Sequence, residues 1–201
     1  MDHTRRIGVK LELQSDNLRD ALAKHKNVSR RSSRLTNAAV LLPIFSTQQE
    51  SYALLIKRSH STKHHHGEIG LPGGTKEPID SNTLETALRE TEEELGINPS
   101  VVDILGQLSS VATKTGFIIH PFVAEIPYPH NLAINHHEVA QVIKLPINLL
   151  MQHDWLSTYR IGNQFSYYYG NHLTWGATAR ILKEFSSVIE QSYQKEIIYT
   201  C

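Results

Sequence analysis

The stretch Leu84 to Ile97, LETALRETEEELGI, constrains this chain more than any other. At about 100° per residue, Leu84, Ala87, Leu88, Thr91 and Leu95 fall on one stripe, which predicts a helix with that face in a core. Asn82 is placed to cap its start, with Glu85 three positions on, and Gly96 to stop it before Pro99. Glu90, Glu93 and Glu94 gather on a second stripe beside the apolar one, while Glu92 points to solvent. Like charges at these spacings cost about 0.2–0.5 kcal/mol per pair. They also occupy the last two turns, where the helix dipole disfavours anions. Only Arg89 lies near enough on the helix to offset them. A divalent cation removes both penalties, since Mg²⁺ is held by a few carboxylates with waters and phosphates. A solvated acidic face is the plain alternative. The preceding Leu71-Pro72-Gly73-Gly74 tips the balance, because glycines let a backbone run close to a ligand and offer it their carbonyls. Helix and loop together point to a metal–diphosphate site.

Around this segment the pattern is that of one layered domain. Ala38–Phe45 and Tyr52–Arg58 are apolar runs separated by polar residues, which predicts paired strands around a turn. Residues 59–82 have no clear periodicity but several glycines and prolines, as a functional loop would. Strand-like stretches follow at 101–112, 117–126 and 138–145, then a short helix after Pro146 and a closing helix through ATARILKEFSSVIEQ. Upstream, SDNLRDALAKHK predicts a helix over 15–26, capped by Ser15 or Asp16, with Leu18, Ala21, Leu22 and His25 on one face. A basic arm with Arg30, Arg31 and Arg34 comes next. Strands and helices alternate irregularly, so the class is α/β (α+β).

Composition removes other classes. Twenty Lys and Arg balance 20 Asp and Glu, so a chain that grips nucleic acid by global charge is not expected. The longest apolar run, Ala38–Phe45, is far short of the roughly 18 residues a membrane span needs. Neither a membrane partner nor a secretory leader is expected. The one cysteine, Cys201, can form no internal disulfide, and a cytoplasmic setting fits a single thiol.

The stretch GGTKEPIDSNTLETALRETEEELGI resembles the Nudix box, whose second half is matched by Arg89, Glu90, Glu93, Glu94, Gly96 and Ile97. Thr91 stands where an aliphatic residue is usual, and Asp80, the first acidic position, leaves eight residues before Arg89 instead of seven. That lengthening is similar to the coenzyme A diphosphatase branch. So is LLIKRSHSTKHHHGEIGLPGG upstream, where Leu54, Leu55, Arg58, Ser59, Gly67, Pro72, Gly73 and Gly74 match that branch's signature. Ile56, Lys63 and Leu71 are mild replacements.

The resemblance implies a Nudix fold, a mixed β-sheet sandwiched between α-helices. The resemblance covers about Asn37 to Leu182, and the domain is expected over residues 36–192, with an amino-terminal helix and basic arm over 1–35 and a tail over 193–201. It further implies hydrolysis of the diphosphate of coenzyme A or its thioesters to 3′,5′-ADP and 4′-phosphopantetheine, with Mg²⁺ or Mn²⁺ as cofactor. Glu90 and Glu94, with Glu93, are then the metal ligands. Arg89 and Asp80 form an orienting pair, with Arg89 among the catalytic set. Glu138 in NHHEVAQV is the candidate base beside Glu93, and His136 and His137 stay open as alternatives. Arg58, Lys63, Gly73 and Gly74 would meet the substrate, with Lys76 and His64–His66 as further donors. Another nucleotide substrate (ADP-ribose, a dinucleotide, a capped RNA end), a nucleotide-sensing module without turnover and a homodimer all stay open.

Overall fold

The computed structural model describes residues 13–28, 34–48, 50–59, 67–128, 131–151 and 166–198. Lys63, His64–His66, Arg30, Arg31 and Cys201 therefore lie outside the described residues. In chain order the elements are α1 (Ser15–Lys24), β1 (Thr36–Ser46), β2 (Ser51–Arg58), β3 (Ile69–Gly70), β4 (Gly73–Thr75) and α2 (Thr83–Leu95). After these come β5 (Asp103–Gln107), β6 (Val111–Ala112), β7 (Phe117–Glu125), β8 (Val139–Pro146) and α3 (Ile147–Leu150). The hairpin β9 (Ser166–Tyr169) and β10 (His172–Trp175) leads into α4 (Gly176–Ile198).

The main sheet is mixed. Its path runs β3-β2-β1-β7-β5, with β4 added to β1, β6 to β7 and β8 to β2. Among the described strands only β1 and β7 run parallel, from Thr36↔Phe117 to Ile44↔Glu125. The β1–β2 hairpin closes as expected around the polar turn, with Ser46 opposite Ser51, but its described register extends only to Ile44↔Ala53. Beyond that point β2 pairs with β3 and β1 with β4. Because β8 occupies the whole of the other β2 edge and β7 that of β1, the glycine-rich loop must fill a fork between the two strands. That geometry explains the missing periodicity in the described part of 59–82: residues 69–75 are two short strands wedged into a sheet.

Alternation along the strands builds two cores. Leu42 and Ile44 of β1, Ala53 and Leu55 of β2 and Val123 of β7 face Leu18, Leu22, Ile181, Leu182 and Phe185. Ala39, Leu41 and Phe45, with Leu54, Ile56 and Ala124, face Ala87 and Leu95 of α2. The sheet is therefore sandwiched, with α2 on one face and α1 and α4 on the other.

Three expectations are corrected. The amino-terminal helix, expected outside the 36–192 domain, packs into it: Leu18 and Leu22 are buried against the sheet and α4, so α1 completes a core layer. Its cap is Gln14 and not Ser15 or Asp16, and the Gln14 side chain makes no capping hydrogen bond. The expected boundary at 192/193 falls inside α4, which continues to Ile198. Gly106 of β5 shows how close α1 sits, since a Cβ there would lie 2.8 Å from that of Leu22. No helix among the described residues is long and apolar enough to cross a membrane. Leu18→Ala should lower stability by about 2–4 kcal/mol, read from the urea midpoint, because it opens a cavity under the sheet.

Candidate active site

Helix α2 forms as its sequence prescribes. Asn82 accepts a hydrogen bond from the Glu85 amide at 3.0 Å, and Gly96 ends the helix in the left-handed region with φ 69°. Its buried face is turned from the expected stripe. Thr86, Ala87, Thr91, Glu94 and Leu95 are buried, whereas Leu84 and Leu88 are half-buried. The helix lies across β1 and β4, where Ala39, Ala87 and Gly74 leave room for close approach, and this rotates its acidic stripe onto the fork. Thr91 costs little where an aliphatic residue was expected, because its hydroxyl donates to the Ala87 carbonyl at 2.7 Å.

Gly73 is where loop and helix lock. Its N–H donates to Glu94 Oε2 at 2.9 Å, and its carbonyl accepts from Arg58 Nη2 at 3.1 Å. With φ 146° and a would-be Cβ 2.3 Å from the Ala39 carbonyl oxygen, the position admits only glycine. Next to it, a Cβ on Gly74 would lie 2.4 Å from the Glu90 carboxyl carbon. Glu94 and Glu90 thus rest on adjacent glycines.

The carboxylates have different surroundings. Glu94 is 1% exposed, and its Oε1 has no hydrogen-bond partner; the Arg58 guanidinium is 3.8 Å away. Burial pushes its carboxyl up to about 7, against the pull of Arg58 and the Gly73 amide, with Glu90 and Glu138 adding to the rise. Burial also raises Glu90, opposed by Arg89. Asp80 is held well below the usual carboxylate range. Arg89 grips it through Nε at 2.9 Å and Nη2 at 3.1 Å, Thr86 Oγ1 donates at 3.0 Å and the Glu77 amide at 2.8 Å.

Arg89 is the hub. Besides Asp80 it reaches Glu90 Oε1 through Nη2 at 3.0 Å and Glu93 Oε2 through Nη1 at 3.0 Å. Glu93 is drawn to this cation at the exposed rim and does not join Glu90 and Glu94. Among the described residues, no three of His, Cys, Asp and Glu converge as a ready-made metal shell. Of the three expected ligands, Glu90 and Glu94 rest on the glycine loop while Glu93 pairs with Arg89 at its edge. Glu138 accepts from Asn135 Nδ2 at 3.2 Å and acts electrostatically on both Glu90 and Glu94. Arg58, expected to face substrate, is engaged with Gly73 and Glu94. Lys76 bonds the carbonyl of Asp80 and so braces the same loop. Sequence reasoning missed Thr86, the buried partner of Asp80, and Asn135, whose signal was an Asn at the head of a tight turn.

The residues fit a divalent ion. A buried carboxylate oxygen without a hydrogen bond on a glycine-lined floor, beside a second half-buried carboxylate, is a hard oxygen-donor set of the kind a divalent cation takes. Comparison with known proteins decides the family: the model of the NUDIX domain matches residues 35–158. The chain belongs to the Nudix hydrolase family. As a Nudix protein it is a hydrolase of the diphosphatase type, and Nudix enzymes generally use divalent metals such as Mg²⁺ or Mn²⁺. It is 35% identical over 167 residues to the "Uncharacterized Nudix hydrolase NudL" of Photorhabdus laumondii subsp. laumondii, covering 80% of this chain and 89% of that relative. A NudL from Yersinia enterocolitica is 35% identical over 164 residues, covering 79% and 84%. The crystal structure of a MutT/nudix family protein from Enterococcus faecalis shares the fold, with a TM-score of 0.51 and 14% identity over 90% of this chain and 76% of that one.

The Asp80–Arg89 pair supports the loop, and its pH dependence has a defined sign. A carboxyl depressed in the folded state stabilises fully above its unfolded value, about 4, and the gain is lost as pH falls through the folded value. Asp80→Asn should cost about 2–3 kcal/mol near neutrality by replacing the buried carboxylate that takes two of the Arg89 hydrogen bonds with a neutral amide. Urea titrations should show the gap between wild type and variant shrinking below about pH 4.

Proposed function

We propose that this Nudix hydrolase cleaves the diphosphate bond of coenzyme A or its thioesters, giving 3′,5′-ADP and (acyl-)4′-phosphopantetheine. The observation that carries the metal-dependent part is the buried, unpartnered Oε1 of Glu94 beside Glu90. Support for the substrate comes from the signature running through Leu54, Leu55, Arg58, Gly67, Pro72, Gly73 and Gly74, and from the extra residue between Asp80 and Arg89.

In this reading Glu90 and Glu94 would hold Mg²⁺ or Mn²⁺. Such an ion, when bound, would supply charge neutralisation at the diphosphate and a lowered pKa for the attacking water. Gly73 orients Glu94 through its amide, and Arg89 orients Glu90 while keeping Glu93 at the rim. Arg58 balances the charge of Glu94 from behind the loop. Glu138 takes a proton from the attacking water at Oε2, the oxygen not bonded by Asn135. The 3′-phosphate of coenzyme A needs a cation, for which Lys63 and the neighbouring histidines of the signature loop are the candidates.

Product analysis tests the assignment. With Mn²⁺ or Mg²⁺, coenzyme A should yield 3′,5′-ADP, and kcat/KM should fall clearly for 3′-dephospho-coenzyme A and ADP-ribose. Equal rates on all three would remove the coenzyme A assignment. Glu94→Gln should lower kcat by several orders of magnitude. The same variant should abolish the rise in melting temperature that Mn²⁺ gives the wild type, because an amide binds the ion poorly. A variant that keeps that rise would show that Glu94 is not a ligand.

A further inference from the structure

Asn135 has every polar group engaged. Its N–H donates to the Glu94 carbonyl at 3.0 Å, in the last turn of α2. Its own carbonyl accepts from the amides of Glu138 at 3.0 Å and Val139 at 2.8 Å, folding residues 135–139 into a tight turn. Oδ1 accepts from the His137 amide at 3.1 Å, and Nδ2 donates to Glu138 Oε1 at 3.2 Å. The network fixes the amide's orientation: a backbone N–H can only donate, so Oδ1 must face His137 and Nδ2 must face Glu138. The turn is tied from a third side, because the Glu138 carbonyl accepts from the Ser59 amide at 2.7 Å, directly after Arg58.

We propose that Asn135 is a positioning residue that sets the Glu138 carboxylate against the end of α2 that carries Glu90 and Glu94. This rests on the reading of Glu138 as the base. One residue hydrogen-bonds the main chain of Glu94 and the side chain of Glu138, so the distance between base and carboxylate floor is held by a rigid amide and not by loop length. The bond also leaves one oxygen of Glu138 for the water while occupying the other. A loop carboxylate without such a tether would sample several rotamers, and few of these place it within reach of a water over the diphosphate.

Asn135→Asp is the discriminating variant. It keeps the main-chain bonds and the acceptor for the His137 amide, loses the donor to Glu138 and sets a like charge against it. Kinetics are measured in Mn²⁺ on the fastest substrate among coenzyme A, 3′-dephospho-coenzyme A and ADP-ribose, alone and combined with Glu138→Gln. The substitution should lower kcat by roughly tenfold or more with KM within about twofold, and change kcat by less than about twofold once Glu138 is Gln. Melting temperatures should stay close to that of the wild type. An equal fractional loss of kcat in both backgrounds, as a merely structural role gives, would overturn the proposal, as would an unchanged kcat in Asn135→Asp alone. A Glu138→Gln enzyme as fast as wild type would instead overturn the base assignment itself, and the positioning role with it.

Discussion

The peptide of Gly73 holds this site together. One face of it belongs to the sheet, where the loop is wedged between β1 and β2; its N–H and C=O belong to the chemistry, through Glu94 and Arg58. A residue with a side chain would collide with the Ala39 carbonyl, so the contact requires the bare backbone. Everything that makes Glu94 unusual follows: its depth, its one hydrogen-bonded oxygen and its raised pKa. Without the fork, the carboxylate would turn to solvent and become one more surface glutamate.

Around that contact the charges are ordered by Arg89. A guanidinium offers several donors in a fixed plane, and here they are shared among Asp80, Glu90 and Glu93. The deepest carboxylate of the three, Asp80, receives two of those bonds and is fully satisfied by Thr86 and Glu77 as well. Glu90 receives one and keeps capacity for a ligand. A single cation thereby separates a structural acid from one able to bind an ion. It also explains why these three acidic groups can sit within one loop-helix unit without expelling one another.

Much of this was legible in the chain. Helix α2 was readable to the residue, because Asn82 and Gly96 are strong local signals at its two ends and thirteen residues between them keep one period. The β1–β2 hairpin was readable for the same reason. The rotation of α2 was not: whether Leu88 or Glu94 is buried depends on what lies opposite, and that is a loop with no periodicity of its own. The docking of α1 was equally hidden, since Leu18 and Leu22 look alike whether they cover a sheet or line a short exposed helix. Of the acidic set, spacing showed that Glu90, Glu93 and Glu94 share a stripe, but their fates are decided by Arg89 and Gly73, through bonds that only the fold creates.

The parallel pair of β1 and β7 carries a consequence for assembly. Its partners, Thr36–Ile44 and Phe117–Glu125, lie roughly eighty residues apart, so the fork's outer wall cannot be built from neighbouring sequence. During synthesis, β1, β2, the glycine loop and the acidic helix all emerge before the strand that stiffens their edge. The carboxylates are thus brought to their final spacing only when a distant segment arrives, which places completion of the reactive centre late in the chain's own chronology.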